Sequence, residues 1–209
     1  MPRKDLPARQ VNISVGDGTR LGEGTAVAPS LPATEQDMRS GSGAPGTNLE
    51  VDLRLALEVP VTEFVLHYQP VVDLTSGNVV GVESLVRWQH PVLGLLGPDH
   101  FIALAEESGL IHQLGEWVLE QAVRDAAILT HEGRELDMAV NFSARQLNDH
   151  VVANVQRAFE NSGVELGRLT VEVTESAFVK DEGITAATYE ALSRMGVKFA
   201  IDDFGTSFS

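Results

Sequence analysis

The sequence contains no cysteine, which excludes disulfides, thiolate metal sites and cysteine nucleophiles and leaves the redox compartment open. No apolar run approaches the roughly 20 residues that cross a bilayer as a helix. The basic residues of Met1–Gln10 have no apolar stretch behind them, so the start does not read as a secretory signal. A cytoplasmic location without direct membrane contact is the expectation. Positive charge is scarce too: 15 Lys and Arg stand against 30 Asp and Glu, a formal net charge of -15. A surface this acidic repels nucleic-acid backbones and anionic membranes, so neither DNA nor RNA is a default partner. An anionic ligand needs a local reversal of field, which a divalent cation held by carboxylates supplies. Most of the acids need no such role; they are a solubilising surface.

What is present is ordinary for a globular protein: 43% hydrophobic and 22% charged residues in a chain of 209. That is room for one good-sized domain and a tail. Residues 1–48 lack periodicity and are punctuated by Gly16, Gly18, Gly22, Gly24, Pro29, Pro32 and the run Gly41-Ser42-Gly43-Ala44-Pro45-Gly46. Such a stretch buries too little apolar area to offset its ordering entropy, so a disordered tail or linker is expected. Its Gly-x-Gly pairs sit between no strand and helix, and so are not nucleotide loops.

The domain is expected over 49–209. Leu49, Val51, Leu53, Leu55 and Ala56 suggest a short opening helix. Phe64–Val72 and Asn78–Val86 are apolar runs joined by five residues, a connection that permits only antiparallel pairing. Helical patterns then follow from Pro98 to about Ser108 and from Leu114 to before Gly133. Further on, strands at Met138–Phe142, Leu169–Thr174 and Val197–Asp202 alternate with helices at Leu147–Asn161 and Ile184–Met195. Strands alternating with helices predict a parallel α/β sheet, open or closed into a β/α barrel.

Period-two alternation sorts the strand residues into faces. In Gly81-Val82-Glu83, Ala139-Val140-Asn141, Thr170-Val171-Glu172 and Ala200-Ile201-Asp202, a small residue precedes an oxygen-bearing one by two positions. Bulky apolar residues take the opposite face. In a β/α barrel the small-then-polar face looks into the lumen, and catalytic groups gather at the strands' C-terminal ends. Glu83, Asn141, Glu172 and Asp202 are thus expected to converge. Three carboxylates so placed raise one another's pKa unless a cation intervenes. An all-oxygen set favours Mg²⁺, Mn²⁺ or Ca²⁺ over Zn²⁺. Glu175 and Asp203, just past strand ends, either serve a second ion or anchor a loop.

The motifs resemble the EAL domain family: Tyr68-Gln69-Pro70, Glu83-Ser84-Leu85-Val86-Arg87-Trp88 with His90-Pro91, Val140 to Leu147, Glu172-Val173-Thr174-Glu175-Ser176, and Asp202-Asp203-Phe204-Gly205-Thr206. The resemblance runs from about Leu49 to Ser209. It implies a TIM-like (β/α) barrel whose first strand is antiparallel, and hydrolysis of cyclic di-GMP to linear pGpG with Mg²⁺ or Mn²⁺. It also implies Glu83, Asn141, Glu172, Asp202 and Asp203 as metal ligands, Glu175 as the residue steadying the loop after the fifth strand, and Gln69 and Arg87 as contacts to the dinucleotide. The expected partners are cyclic di-GMP and either a second copy or a partner signalling domain.

The chain departs from the family pattern in three places. Ser84 stands where the family name has Ala, and Ser207 where the loop has Gly. The 209 residues hold about five of the eight strands, without the family's later Lys, Asp, Glu and Gln. Weak or absent turnover by this chain alone is therefore expected, with a non-catalytic cyclic di-GMP-binding or protein-interaction module as the alternative. Asp203-Phe204-Gly205 also spells a kinase triplet, but no kinase Gly-rich loop precedes it.

Overall fold

The computed structural model describes residues 48–58, 61–148, 150–174 and 186–202. The expected tail over 1–48 lies, but for its last residue, outside the described residues. Asn48 caps the first helix, its side-chain oxygen accepting from the backbone N–H of Glu50 and Val51. This helix, α1 (Leu49–Ala56), buries Leu53 and Ala56.

Strands β1 (Phe64–Val72) and β2 (Val79–His90) form the antiparallel hairpin. Its turn is organised by Asp73, whose Oδ1 accepts from the N–H of Thr75 and Ser76 and from the Ser76 hydroxyl. The second strand runs four residues beyond the Val86 boundary expected from sequence. A short strand, β3 (Gly94–Leu96), folds back on it and pairs Trp88 with Leu96, supplying partners that the hydrophobic pattern does not reveal. His90 closes this ribbon: its Nδ1 accepts from the N–H of Val92 and Leu93, and its Nε2 faces Asp52 of α1 at 3.4 Å.

The remaining strands, β4 (Asp137–Asn141), β5 (Leu169–Thr174) and β6 (Lys198–Asp202), add in parallel to give the order β1-β2-β4-β5-β6. Helices α2 (Ile102–Glu107) and α3 (Ile111–His131) cross from β3 to β4, α4 (Val151–Phe159) from β4 to β5, and α5 (Ala186–Arg194) from β5 to β6. The sheet is open, so the architecture is the expected part of a barrel. Two helices begin later than the apolar pattern predicts. Pro98–His100 forms a 3-10 turn ahead of α2. Ala144–Gln146 forms another ahead of α4, because a Ser143/Gln146 capping box closes that turn on itself. No helix among the described residues is long and apolar enough to cross a membrane.

The core lies between the helices and one face of the sheet. Phe64, Leu66 and Tyr68 on β1, Val82 and Trp88 on β2, Met138 and Val140 on β4, and Val171 and Val173 on β5 all contribute to it. Phe64 and Trp88, opposite each other in register, stack at 5.6 Å, and Phe101 meets both rings edge-on. The polar insertions on this side are paired. Tyr68 donates to the buried Asp125 carboxylate at 2.7 Å, and Gln121 donates to its other oxygen. Ser84 is the exception: among the described residues its Oγ is the buried side-chain oxygen with no hydrogen-bond partner. A buried hydroxyl without a partner costs about 1–3 kcal/mol. Ser84→Ala is therefore expected to raise the unfolding free energy by about 1 kcal/mol in urea titration. A clear loss of stability would show that the hydroxyl has found a partner.

Candidate active site

The opposite face of the sheet is built from the other strand parity. It carries His67 and Gln69 on β1, Gly81, Glu83 and Arg87 on β2, Ala139 and Asn141 on β4, and Thr170 and Glu172 on β5. The backbone register aligns Gln69 with Glu83, Glu83 with Ala139, and Asn141 with Glu172. Glu172 in turn lies beside Ala200, and Asp202 beside Thr174. The row of oxygen-bearing positions climbs two residues from β2 to β4 and stays level to β5. It climbs two more to reach position 202 on β6. Tilted strands of a barrel sheet require such a stagger.

Small residues let the strands close up beneath this row. A Cβ at Gly81 would come within 2.8 Å of the Asp137 carbonyl oxygen, so only glycine permits this approach of β2 to β4. Ala139 is buried beneath Asn141. At the floor the charges are paired: Lys198 Nζ meets Asp137 Oδ2 at 2.6 Å, while Arg168 bonds Glu135 and stands 3.7 Å from Asp137 Oδ1.

Above the floor, Asn141 Nδ2 donates to Glu83 Oε1 at 2.8 Å, joining β4 to β2 through two of the expected ligands. With Nδ2 committed to the carboxylate, Oδ1 is the lone-pair end of that amide. The donor set is oxygen-rich and carboxylate-based, which suits a hard divalent cation. Among the described residues no three His, Asp or Glu side chains form a metal cluster. Glu83 and Asn141 are in contact, Glu172 lies across from Asn141 in register, and Asp202 is fixed by backbone pairing. Asp203 and Glu175 lie outside the described residues.

The candidate ligand contacts flank this row. Gln69 is exposed opposite Glu83. Arg87 donates to the Val86 carbonyl at 2.8 Å, and no carboxylate among the described residues pairs with it. Its charge acts on His67, whose pKa is lowered first by desolvation and then by the Arg87 guanidinium. Sequence reasoning missed His67, although alternation two residues from Gln69 places it on this face. It also missed the Lys198–Asp137 floor pair and the Glu106–Ser143 contact described below, which join residues far apart in sequence.

The EAL domain family model matches residues 50–209. Over 160 residues the chain is 44% identical to a bifunctional diguanylate cyclase/cyclic di-GMP phosphodiesterase, MucR, of Pseudomonas aeruginosa, covering 76% of this chain and 23% of that protein. It is 45% identical over 163 residues to the cyclic di-GMP phosphodiesterase NbdA of the same organism, covering 77% and 21%. The solved phosphodiesterase of Pseudomonas aeruginosa MucR, in complex with c-di-GMP, superposes with a TM-score of 0.70 at 44% identity, covering 76% of this chain and 64% of that one. The chain thus spans about a fifth of the length of these curated relatives.

The lowered pKa of His67 makes stability depend on pH. The folded protein holds this imidazole neutral at pH values where the unfolded chain protonates it, so its contribution to stability is full above the unfolded pKa of about 6.5 and is lost as pH falls through the folded value. NMR titration should place His67 below the ordinary histidine range, and Arg87→Gln should move it back upward. A midpoint unchanged by Arg87→Gln would separate the two side chains.

Proposed function

This chain belongs to the EAL domain family, and from that premise we propose that it holds cyclic di-GMP against the C-terminal ends of its strands and contributes to its hydrolysis to linear pGpG. The observation that carries the reading is the 2.8 Å bond between Asn141 and Glu83, which joins two residues of the family's ligand pattern on one face of the sheet. The matching relatives include the bifunctional MucR and the cyclic di-GMP phosphodiesterases NbdA and PdeR.

In this reading Arg87, free of any described carboxylate, meets a phosphodiester oxygen, the charge-assisted bond for which guanidinium is suited. Gln69 offers an amide beside it. The His67 pKa is lowered, first by desolvation and then by the Arg87 guanidinium, which disfavours a second positive charge on this face. Glu83, Asn141, Glu172 and Asp202, with Asp203, would hold Mg²⁺ or Mn²⁺, and Glu175 would steady the adjoining loop. Bound there, such ions supply charge neutralisation and an activated water for phosphodiester cleavage. Water adds across one P–O bond: its oxygen joins phosphorus and its proton goes to the departing sugar oxygen. The bond from Asn141 keeps the Glu83 carboxylate turned toward β4 and leaves Asn141 Oδ1 as the end of that amide that could meet a cation. The acidic surface elsewhere repels the ligand, which leaves Arg87 and the bound cations to draw it in.

The test is calorimetric titration of the 209-residue chain with cyclic di-GMP, with and without Mg²⁺ or Mn²⁺, followed by chromatography for pGpG. Metal-dependent binding is expected, and Arg87→Ala should weaken it about tenfold or more, the worth of one charge-assisted hydrogen bond. Binding without pGpG would leave a receptor and remove the catalytic half of the proposal. No binding with either metal would overturn it.

A further inference from the structure

The loop directly after Asn141 is held from outside the sheet. Phe142 N–H donates to the Glu172 carbonyl, which carries β4 one residue further along β5. Ser143 then turns the chain. Its N–H donates to Gln146 Oε1 at 2.8 Å and its hydroxyl donates to Glu106 Oε1 at 2.5 Å. Arg145 donates to the Glu106 carbonyl at 3.2 Å, so the last residues of α2 take two bonds from this loop. Gln146 is buried, with a relative exposure of 9%, and its carboxamide lies on α3 at Gly115. A Cβ at position 115 would stand 1.5 Å from Gln146 Nε2, so any other residue there requires the amide to move from this place. Gly115 occupies the interior of a 21-residue helix, where glycine is disfavoured relative to alanine. Seating Gln146 is the gain that accounts for it.

We propose that Gly115, Gln146, Ser143 and Glu106 form a positioning device that sets the Asn141 amide against Glu83, and through it the divalent-ion site. This rests on reading Asn141 as a ligand. None of the four touches the reacting atoms. They act through the backbone of Asn141–Ser143, as groups behind metal ligands commonly do. The helical layer α2–α3 is thereby coupled to the lumen, and a shift of either helix is transmitted to Asn141.

The experiment uses the full chain and three readouts: Mn²⁺ affinity by calorimetry, the Asn141 side-chain amide resonance by ¹⁵N NMR, and the thermal midpoint. Gln146→Ala should weaken Mn²⁺ binding by about 10- to 100-fold and shift the Asn141 resonance. Gln146→Glu, which keeps an acceptor for Ser143 N–H, should recover most of the affinity. Gly115→Ala should copy Gln146→Ala, and the double variant should be no worse than either alone, because both break the same contact. Ser143→Ala, which loses the hydroxyl's bond to Glu106 and its cap on Arg145 N–H but keeps the Ser143 N–H bond to Gln146, should shift the same resonance and covers the case in which the Gln146 variants do not fold. The proposal is overturned if the variants lower the thermal midpoint while Mn²⁺ affinity and the Asn141 resonance stay as in the wild type. Should the wild type bind no Mn²⁺, the functional reading falls, and the Asn141 resonance alone decides whether the device positions that amide.

Discussion

The register of β2 is the constraint on which the site depends. This strand bonds antiparallel to β1 on one side and parallel to β4 on the other, so it sets both the first strand's direction and the start of the parallel sheet. A slip of one residue would exchange Glu83 for Ser84 on the lumen face and send the carboxylate into the core. Three contacts oppose that slip. Gly81 is the position at which β2 and Asp137 come too close for any side chain. Trp88 is fixed by stacking on Phe64 and by donating its indole N–H to Glu63 at 2.9 Å. His90 holds the strand's far end through the two backbone N–H groups of the β3 turn. Size, shape and hydrogen bonding thus specify one alignment at three separate points.

Electrostatics divides the lumen into a floor and a mouth. At the floor, Lys198, Arg168, Asp137 and Glu135 are committed to one another, so their charges cancel locally. Toward the mouth, Arg87 has no carboxylate partner among the described residues, while Glu83 is bonded by a neutral amide. A guanidinium with no carboxylate partner among the described residues, on the face that carries Glu83, is suited to an anionic group. The lowered pKa of His67 belongs to the same field, since a second positive charge there is disfavoured by its neighbour.

Much of this is legible in the sequence. The alternation of small and oxygen-bearing residues on four strands placed Glu83, Asn141 and Glu172 on one face, because strand periodicity is local and strict. The short Asp73-to-Gly77 connection forced an antiparallel hairpin for the same local reason. What could not be read were contacts between distant segments. The extension of β2 to His90 depends on a partner strand only three residues long. The turn ahead of α4 is by contrast local: Ser143 and Gln146 bond each other, and a Ser-x-x-Gln spacing does signal such a cap. The Glu106–Ser143 and Lys198–Asp137 bonds join residues 37 and 61 positions apart, and no periodicity encodes such pairs.

The two faces of each strand therefore answer to different demands. On the helix side, Phe64, Trp88, Phe101, Val140 and Val171 are buried, and each large apolar side chain contributes about 1.5–3 kcal/mol by leaving water. On the lumen side, exposed polar and charged groups contribute little to folding. The site is tolerable because the opposite face of the same strands supplies the stability. Ser84 shows how sharply the division is drawn: on the lumen side its hydroxyl would meet solvent, but on the helix side it is orphaned. The Gln146 seat on Gly115 is where the two regimes meet. There a polar group enters the helical layer, and the helix forgoes a side chain so that the loop beyond Asn141 has a fixed support.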